Sequence, residues 1–257
     1  MYVWSKDGTR IAYERIGEGQ PLILVDGAMC HRSMRELASL LSNRFMVCSY
    51  DRRGRGESTD TKPYAVQREI EDLEALIDAI GGTAYVYGIS SGAVLAIKAA
   101  SLLGSKIRKL AIYEAPFTFG EEARRAAEAY TQSLEKLLAD DRRGDAVELF
   151  MKNVGMPVEA IQGMRQAPVW KAMEALAPTL AYDNAVMGDG SIPTQEVEAV
   201  QVLTLVLVGG NSPNFMKEAA DAIVRTLPNT SQHLLENQTH DVAAEALAPY
   251  LAEFFKL

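Results

Sequence analysis

The sequence predicts an α/β protein with a doubly wound, mostly parallel sheet that is interrupted by a helical insertion. Apolar runs rich in Val, Ile and Leu alternate with amphipathic stretches, as strands do when helices cover both faces of a sheet. This alternation stops near residue 118 and resumes near residue 194. Because 257 residues, 48% of them hydrophobic, suffice for one sizeable core, we expect one domain. Its core would be 1–117 and 194–257, and a helical lid would span about 118–193.

The first half of the chain reads as a hairpin followed by alternating strands and helices. The segments YVWS and RIAYERIG alternate around the turn KDG, which is typical of a β-hairpin. Buried strands are predicted at PLILVDG, FMVCSYD, AYVYGIS and IRKLAIYEAPF. Between them, amphipathic patterns predict helices at RSMRELASLLSNR, around Gln67–Ala79, and from Gly92 to about Leu103.

The second half begins with helical patterns and then returns to alternation. EEARRAAEAYTQSLEKLLADD and DAVELFMKNVG predict helices of the lid, and GSIP near Ser191 is the expected return linker. The strand VLTLVLVGG, a helix near Met216–Leu227, the short strand SQHLLEN and the helix AAEALAPYLAEFFKL follow.

Composition and charge restrict the classes of partner. The formal net charge of −8 argues against nucleic acid, because nucleic-acid-binding proteins concentrate positive charge. No apolar run reaches the roughly 18 residues of a membrane span, and the N-terminus lacks the pattern of a signal peptide, so we expect a cytoplasmic protein with no membrane partner. Two cysteines and three histidines without paired spacing predict no metal site. The expected partner is a small-molecule substrate, for a monomer or homodimer.

The stretch GISSG, Gly88–Gly92, fits G-x-S-x-G between a predicted strand and a predicted helix. In that context the turn holds Ser90 in a strained conformation and raises its hydroxyl above the sheet as a nucleophile. The alternative is a turn of small residues where a helix packs closely on the sheet. A serine hydroxyl also needs a base within hydrogen-bond reach.

His240, in the loop after the last short strand, is the predicted base, because that loop returns to the same edge of the sheet. Its alternative is a surface histidine near a helix start. His233 lies within a strand and is predicted to pack there. His31 follows the loop DGAMC and either lines the mouth of a pocket or is a solvated loop residue.

Two further motifs follow strand ends. In VDGAM the backbone N–H of Ala28 is predicted to join that of Ser91 in an oxyanion hole, where loss of one donor costs about 10² to 10³ in rate. DRRGRGES, Asp51–Ser58, is interpreted as a structural turn whose arginines pair with nearby carboxylates.

VDGAM, DRRGRGES, GISSG and QTH, in this order, resemble the α/β-hydrolase fold family. The resemblance covers both ends of the chain and leaves the lid unmatched. It implies a catalytic triad whose acid follows the strand after the lid. This chain has GGNSPNF there, and Asn211, Ser212 and Asn214 cannot carry the charge.

Glu114, at the end of the strand before the lid, is the predicted acid. That strand neighbours the post-lid strand in a sheet of this order, and a buried carboxylate needs a partner. The resemblance supports the position, since haloalkane dehalogenases and some lipases place their acid there. Glu114 could alternatively form a salt bridge with Arg124 or Arg125. Three other carboxylates are rival candidates for the triad acid. Of these, Asp241 resembles a helix N-cap, and Asp183 and Asp189 lie in the lid's exit.

The resemblance and these residues imply acyl transfer: a serine hydrolase acting on a carboxylic ester or lactone of a small, mostly apolar substrate, without a cofactor. Serine at position 90 argues against dehalogenase and epoxide hydrolase activity, which need a carboxylate nucleophile. Hydrolysis of carbon–carbon bonds or thioesters, and cofactor-free perhydrolysis, stay open because they use the same residues. An alternative of another class is a ligand-binding sensory protein on the same fold.

The predicted substrate pocket is formed by residues near the oxyanion loop and in the lid. The apolar lid residues are alternatively explained as ordinary helix packing at 3.6-residue spacing. The pocket residues are Met29, His31, Met151, Trp170 and Asn214.

Overall fold

The computed structural model describes residues 1–256 and contains one eight-stranded sheet in that range. Its strands run in the order β1-β2-β4-β3-β5-β6-β7-β8. The strands are β1 Tyr2–Trp4, β2 Arg10–Ile16, β3 Gln20–Val25, β4 Phe45–Tyr50, β5 Ala84–Ile89, β6 Ile107–Tyr113, β7 Leu203–Gly209 and β8 Thr230–Leu235.

The sheet is parallel from β4 to β8, and β2 is the one strand of the sheet that runs against the others. β1 and β2 pair antiparallel, with Tyr2 opposite Ala12, which confirms the predicted hairpin. β2 also pairs antiparallel with β4, whereas β3, β5, β6, β7 and β8 pair in parallel with their neighbours. The carboxyl ends of β3, β5, β6, β7 and β8 therefore meet at one edge, where open α/β sheets place their sites.

Helices cover the sheet and fill the insertion. They are α1 Arg35–Leu41, α2 Val66–Ala79, α3 Ser91–Leu103, α4 Glu121–Ala139, α5 Arg143–Asn153, α6 Val158–Arg165, α7 Val169–Leu176, α8 Leu180–Met187, α9 Thr194–Glu198, α10 Asn214–Thr226 and α11 Ala244–Phe254. Short 3-10 helices lie at Gly104–Lys106 and Ala177–Thr179. Within residues 1–256, no helix combines the length and apolar character needed to cross a bilayer.

Alternate residues of each central strand point to opposite faces of the sheet, and both faces are buried. In β3, Ile23 and Val25 pack with residues of α2, α3 and α10 on one face. Leu22 and Leu24 pack with residues of α1 and α11 on the other face. The doubly wound, mostly parallel architecture is thereby confirmed, and continuous apolar runs arise because both faces are covered.

The insertion between β6 and β7 has a hydrophobic cluster of its own, which is centred on α5 and α7 and includes Met151 and Trp170. It contains α4 to α9, more helices than the sequence patterns indicate. Its last part packs on the sheet instead, since Val186 of α8 and Val197 of α9 belong to the core beside α3. The insertion is therefore fastened to the core at its carboxyl-terminal end.

Candidate active site

Ser90 lies at the turn between β5 and α3 in a backbone conformation that side chains rarely adopt. Its φ is 58° and its ψ is −129°. Such a conformation costs on the order of 1–3 kcal/mol and persists only where surrounding structure enforces it. The Ser90 N–H donates to the Tyr113 carbonyl at 3.0 Å, which ties the turn to the end of β6.

The two glycines of GISSG allow this turn because neighbouring backbone leaves no room for a Cβ. A Cβ at Gly88 would lie 2.5 Å from the Gly92 carbonyl oxygen. A Cβ at Gly92 would lie 2.4 Å from the Val25 carbonyl oxygen, so the start of α3 sits directly against the end of β3. The turn therefore shows both the close packing of helix on sheet, which was the alternative explanation, and the strained serine.

Glu114 and His240 are joined by a hydrogen bond. His240 Nδ1 lies 2.7 Å from Glu114 Oε2, and the glutamate side chain is fully buried. The other carboxylate oxygen, Oε1, accepts from the Gly209 N–H at 2.8 Å. Because a carboxylate partner makes Nδ1 the protonated nitrogen, Nε2 is the ring nitrogen left to accept a proton.

The carboxylate of Glu114 is held in its ionised form. Burial by itself would raise its pKa, but the hydrogen bonds from His240 and from the Gly209 N–H outweigh burial and lower the pKa. The backbone φ of Glu114 is 48°, a left-handed conformation uncommon for glutamate. In the described part of the chain no lid arginine forms an ion pair with Glu114, whose partners are His240 and the Gly209 N–H, and Arg124 pairs with Glu121 on α4.

The loop that carries His240 is bound by residues at the end of β6 and just after β7. The Tyr113 hydroxyl, beside Glu114, donates to the carbonyl of Thr239. The Asn211 N–H donates to the Gln238 carbonyl at 2.9 Å, so the loop without an acid contacts the histidine loop through its backbone. The two residues that precede His240 are thus held before any substrate arrives.

The loop after β3 passes directly beside Ser90. A Cβ at Gly27 would lie 3.1 Å from the Ser90 Cβ and 3.6 Å from its Oγ. Ala28 follows, and Met29, with φ of 59°, packs against the hydrophobic cluster of the insertion. In the described part of the chain, the N–H groups of Ala28 and Ser91 donate to no backbone or side-chain acceptor.

The turn DRRGRGES forms the buried ion pairs that its sequence predicts, which confirms that interpretation. Arg52 binds Glu69 through two hydrogen bonds of 2.7 and 2.8 Å, and Arg53 binds Asp72 in the same way. Arg52 and Arg55 each bind Asp183, which comes from α8 of the insertion. Sequence reasoning treated Asp183 only as a weak rival acid and missed this contact.

Two predicted pocket residues lie inside the insertion. Met151 and Trp170 are buried in its hydrophobic cluster, and the Trp170 Nε1 donates to Glu174 at 3.1 Å, which favours the packing explanation. Asn214 is exposed at the first turn of α10. His31 is half exposed, 3.8 Å from the buried Asp51, which fits a loop residue.

His233 lies within β8, as predicted, and its ring lies beside Tyr250 with centroids 5.5 Å apart. The ring is exposed because β8 is an edge strand. One sequence interpretation near the end of the chain is wrong. Asp241 does not cap a helix, because α11 begins at Ala244 with Ala243 at the N-cap position. Asp189, the third rival acid, binds the N–H and hydroxyl of Ser191 in a surface turn.

Across residues 1–256, no group of three or more His, Cys, Asp and Glu side chains is arranged to hold a metal ion. Ser90, Glu114 and His240 each follow the end of a parallel strand at this edge of the sheet.

An eight-stranded sheet in this order, with a strained serine between β5 and α3, defines the α/β-hydrolase fold. The chain belongs to the alpha/beta hydrolase family, whose model matches residues 22–250. It is therefore a hydrolase of the α/β fold.

Individual proteins similar to this chain are also hydrolases of this fold or resemble it in structure. An alpha/beta hydrolase from Sphaerobacter thermophilus is 48% identical, with a TM-score of 0.90 and complete coverage of both chains. The curated serine hydrolase BPHL of Mus musculus is 24% identical over 92% of this chain and 78% of its own. A thermophilic esterase from Thermogutta terrifontis is 21% identical, with a TM-score of 0.73 over 99% and 97% of the two chains. At that identity, the likeness to the esterase concerns the fold alone.

Proposed function

We propose that the protein is a serine hydrolase that cleaves a carboxylic ester or lactone of a small, mostly apolar substrate through an acyl-enzyme. The observation that carries the proposal is the 2.7 Å bond between Glu114 and His240 Nδ1, at the sheet edge where Ser90 occupies its strained turn. A fixed carboxylate orients the imidazole and stabilises the imidazolium that forms when histidine takes the serine proton.

In the first half-reaction, His240 Nε2 accepts the proton of Ser90 as Oγ attacks the carbonyl carbon of the ester. The electron pair of the carbonyl moves to its oxygen, which the N–H groups of Ala28 and Ser91 stabilise. When the tetrahedral intermediate collapses, the bond to the alcohol oxygen breaks. His240 then gives its proton to that oxygen, and the acyl group stays on Ser90.

In the second half-reaction, water replaces the alcohol. His240 removes a proton from the water as its oxygen attacks the acyl carbon, and the same oxyanion donors stabilise the second intermediate. Its collapse breaks the bond to Ser90 Oγ, which recovers a proton from His240 and releases the carboxylic acid. Glu114 stays ionised throughout, in keeping with its lowered pKa.

The apolar character of the substrate is proposed from the side chain beside the oxyanion loop. Met29 packs against the cluster of the insertion, so apolar groups border the space beyond Ala28. Carbon–carbon bonds, thioesters and peracid formation would use the same three residues. The similarity to the serine hydrolase BPHL of Mus musculus supports the choice of a serine nucleophile.

The proposal is tested by reacting the purified protein with a fluorophosphonate probe and locating the adduct by peptide mass spectrometry. We expect one adduct on Ser90, none in Ser90→Ala, and turnover of p-nitrophenyl acetate that Ser90→Ala loses. Absence of labelling at Ser90 would contradict the proposal and favour the sensory-protein alternative. A panel of esters and lactones of graded length, with one thioester and one vinylogous diketone, then ranks the bond types.

A further inference from the structure

Asp183 joins the insertion to the nucleophile turn through a buried carboxylate. It lies on α8 with 5% of its surface exposed. Oδ1 accepts from the Ser91 hydroxyl and from Arg52 Nη1, each at 2.7 Å, and Oδ2 accepts from Arg55 Nη2 at 2.7 Å. Three donors from two core segments therefore converge on one side chain of the insertion.

Each of these donors belongs to, or forms a hydrogen bond with, a segment that supplies an oxyanion N–H in the proposed mechanism. Ser91 supplies one of these N–H groups itself. Arg55 Nη1 donates to the carbonyl of Gly27 at 2.7 Å, and Arg52 Nη1 lies 3.3 Å from the carbonyl of Asp26. The loop after β3 is thus held by the same guanidinium groups that bind Asp183.

The bond to Gly27 fixes the direction of the other oxyanion donor. The Gly27 carbonyl and the Ala28 N–H belong to one planar peptide unit, in which C=O and N–H point in opposite directions when the bond is trans. Because Arg55 binds the carbonyl oxygen at one edge of this unit, the Ala28 N–H points away from Arg55 at the opposite edge. A rotation of this peptide would move the donor away from the substrate oxygen.

Charge balance makes Asp183 necessary for this arrangement. Arg52 has a second carboxylate partner in Glu69, but in the described part of the chain Arg55 forms an ion pair with Asp183 alone. Both guanidinium groups are fully buried, and a buried charge without a partner costs several kcal/mol. Without Asp183, Arg55 would have to move or bind water. Its hydrogen bond to the Gly27 carbonyl would then weaken.

We propose that Asp183 is a positioning residue of the oxyanion hole, which it keeps aligned through Ser91 on one side and Arg55 on the other. The inference rests on the proposed function. It makes the insertion part of the catalytic apparatus, because a side chain of α8 sets the direction of the two N–H donors. A carboxylate that only fastened the insertion to the core would affect stability and leave transition-state binding unchanged.

The test compares Asp183→Asn with Asp72→Asn. Asp72 is an equally buried carboxylate that binds Arg53 of the same turn, but Arg53 contacts Asp72, Asp7 and the Arg68 carbonyl and nothing in the oxyanion loop. Both variants are assayed well below their melting temperatures. We measure kcat and KM for p-nitrophenyl acetate, and the inhibition constant of phenylboronic acid, which forms a tetrahedral adduct on a catalytic serine.

For Asp183→Asn we expect kcat to fall about tenfold to a hundredfold, less than the 10²–10³ lost when an oxyanion donor is removed outright. The inhibition constant for phenylboronic acid should rise by a similar factor, while KM changes little, because the loss concerns the transition state. Asp72→Asn should keep kcat and the inhibition constant within about twofold. Equal losses in the two variants, or wild-type kinetics in Asp183→Asn, would overturn the inference.

Ser91→Ala provides a second variant that leaves no buried charge unpaired. It should lower kcat several-fold, and its effect should largely disappear in the Asp183→Asn background, because the hydroxyl acts through that carboxylate. Should Asp183→Asn not fold, unchanged kinetics in Ser91→Ala would overturn the inference. A wild type that is not labelled at Ser90 and does not turn over p-nitrophenyl acetate would refute the proposed function. An active wild type, together with unchanged kinetics in Asp183→Asn, would refute this inference alone.

Discussion

Glu114 is the residue on which the candidate triad depends, because no other carboxylate in the described structure contacts His240. We predict that Glu114→Gln lowers kcat by about 10⁴, as the loss of a triad acid does. Glutamine is nearly isosteric but carries no charge to stabilise the imidazolium, and its amide can bind the wrong imidazole tautomer. Single-turnover and steady-state kinetics with p-nitrophenyl acetate measure the loss.

Asn211→Ala and Asn214→Ala serve as controls in the loop where the family places its acid. Asn211 contacts the histidine loop through its backbone N–H, and the Asn214 side chain is exposed, so both variants should stay within about twofold of wild-type kcat. A large loss of kcat in either asparagine variant, or a near-normal kcat in Glu114→Gln, would show that Glu114 is not the acid of the triad.

For individual residues, the sequence predicts the location of side chains that follow strand ends. It does not predict contacts between side chains that are distant in the chain. The Glu114–His240 contact is deducible because parallel strands in this order bring the ends of β6 and β8 to one edge. The contact between Ser91 and Asp183 joins residues 92 apart in sequence. No local pattern encodes it, since Asp183 lies on a short helix whose orientation depends on tertiary packing.

Among the elements, α3 is the one whose placement decides the geometry of Ser90. We predict that Gly92→Ala destabilises the protein by about 1–3 kcal/mol, because the new Cβ would lie 2.4 and 2.5 Å from the carbonyl oxygens of Val25 and Asp26. The helix must then shift away from β3. Urea unfolding followed by circular dichroism measures the change in the free energy of unfolding.

Gly163, in the middle of α6, is the matched control because a Cβ there would meet no atom within 4 Å. Helix propensity alone predicts a gain of about 0.5–1 kcal/mol for Gly163→Ala, and the same gain would apply at Gly92 if the contact with β3 did not matter. Similar gains in both variants would disprove the close approach of α3 to β3.

The strands were easier to predict than the helices of the insertion, for a physical reason. Apolar runs such as PLILVDG and VLTLVLVGG mark strands buried on both faces, and their ends agree with β3 and β7 to within a few residues. Helices α6 to α9 have only five to eight residues each, too few to be stable without packing. Their bounds therefore depend on the cluster around Trp170 and on the sheet.

For the whole molecule, the turn DRRGRGES connects segments that are far apart in the chain. Its three buried arginines, Arg52, Arg53 and Arg55, pair with carboxylates from α2, from the first hairpin turn and from α8. The hairpin, the helical layer and the insertion are thus coupled through one turn. Separating these segments would leave buried arginines with fewer partners, and Arg55 with none in the described structure, so we expect the core and the insertion to unfold together.

This coupling predicts a pH dependence of stability that can be assigned to Asp183. Burial by itself would raise the pKa of Asp183, but Arg55, Arg52 and the Ser91 hydroxyl hold it below its ordinary value. In the unfolded chain the pKa returns to about 3.9, so the unfolded state binds the proton first as the pH falls. The stabilisation is therefore complete well above pH 4 and is lost as the pH falls through the lower pKa of the folded state.

The measurement is urea unfolding of the wild type and Asp183→Asn at pH 7, 5, 4 and 3. The wild type should be more stable by a constant difference at pH 7 and 5, and that difference should shrink at pH 4 and further at pH 3. Glu135→Gln, a change at an exposed carboxylate of α4 with no ion pair in the described structure, should give almost no difference at any pH. A difference for Asp183→Asn that grows as the pH falls would mean that Asp183 is protonated in the folded protein, contrary to its pairing with two arginines.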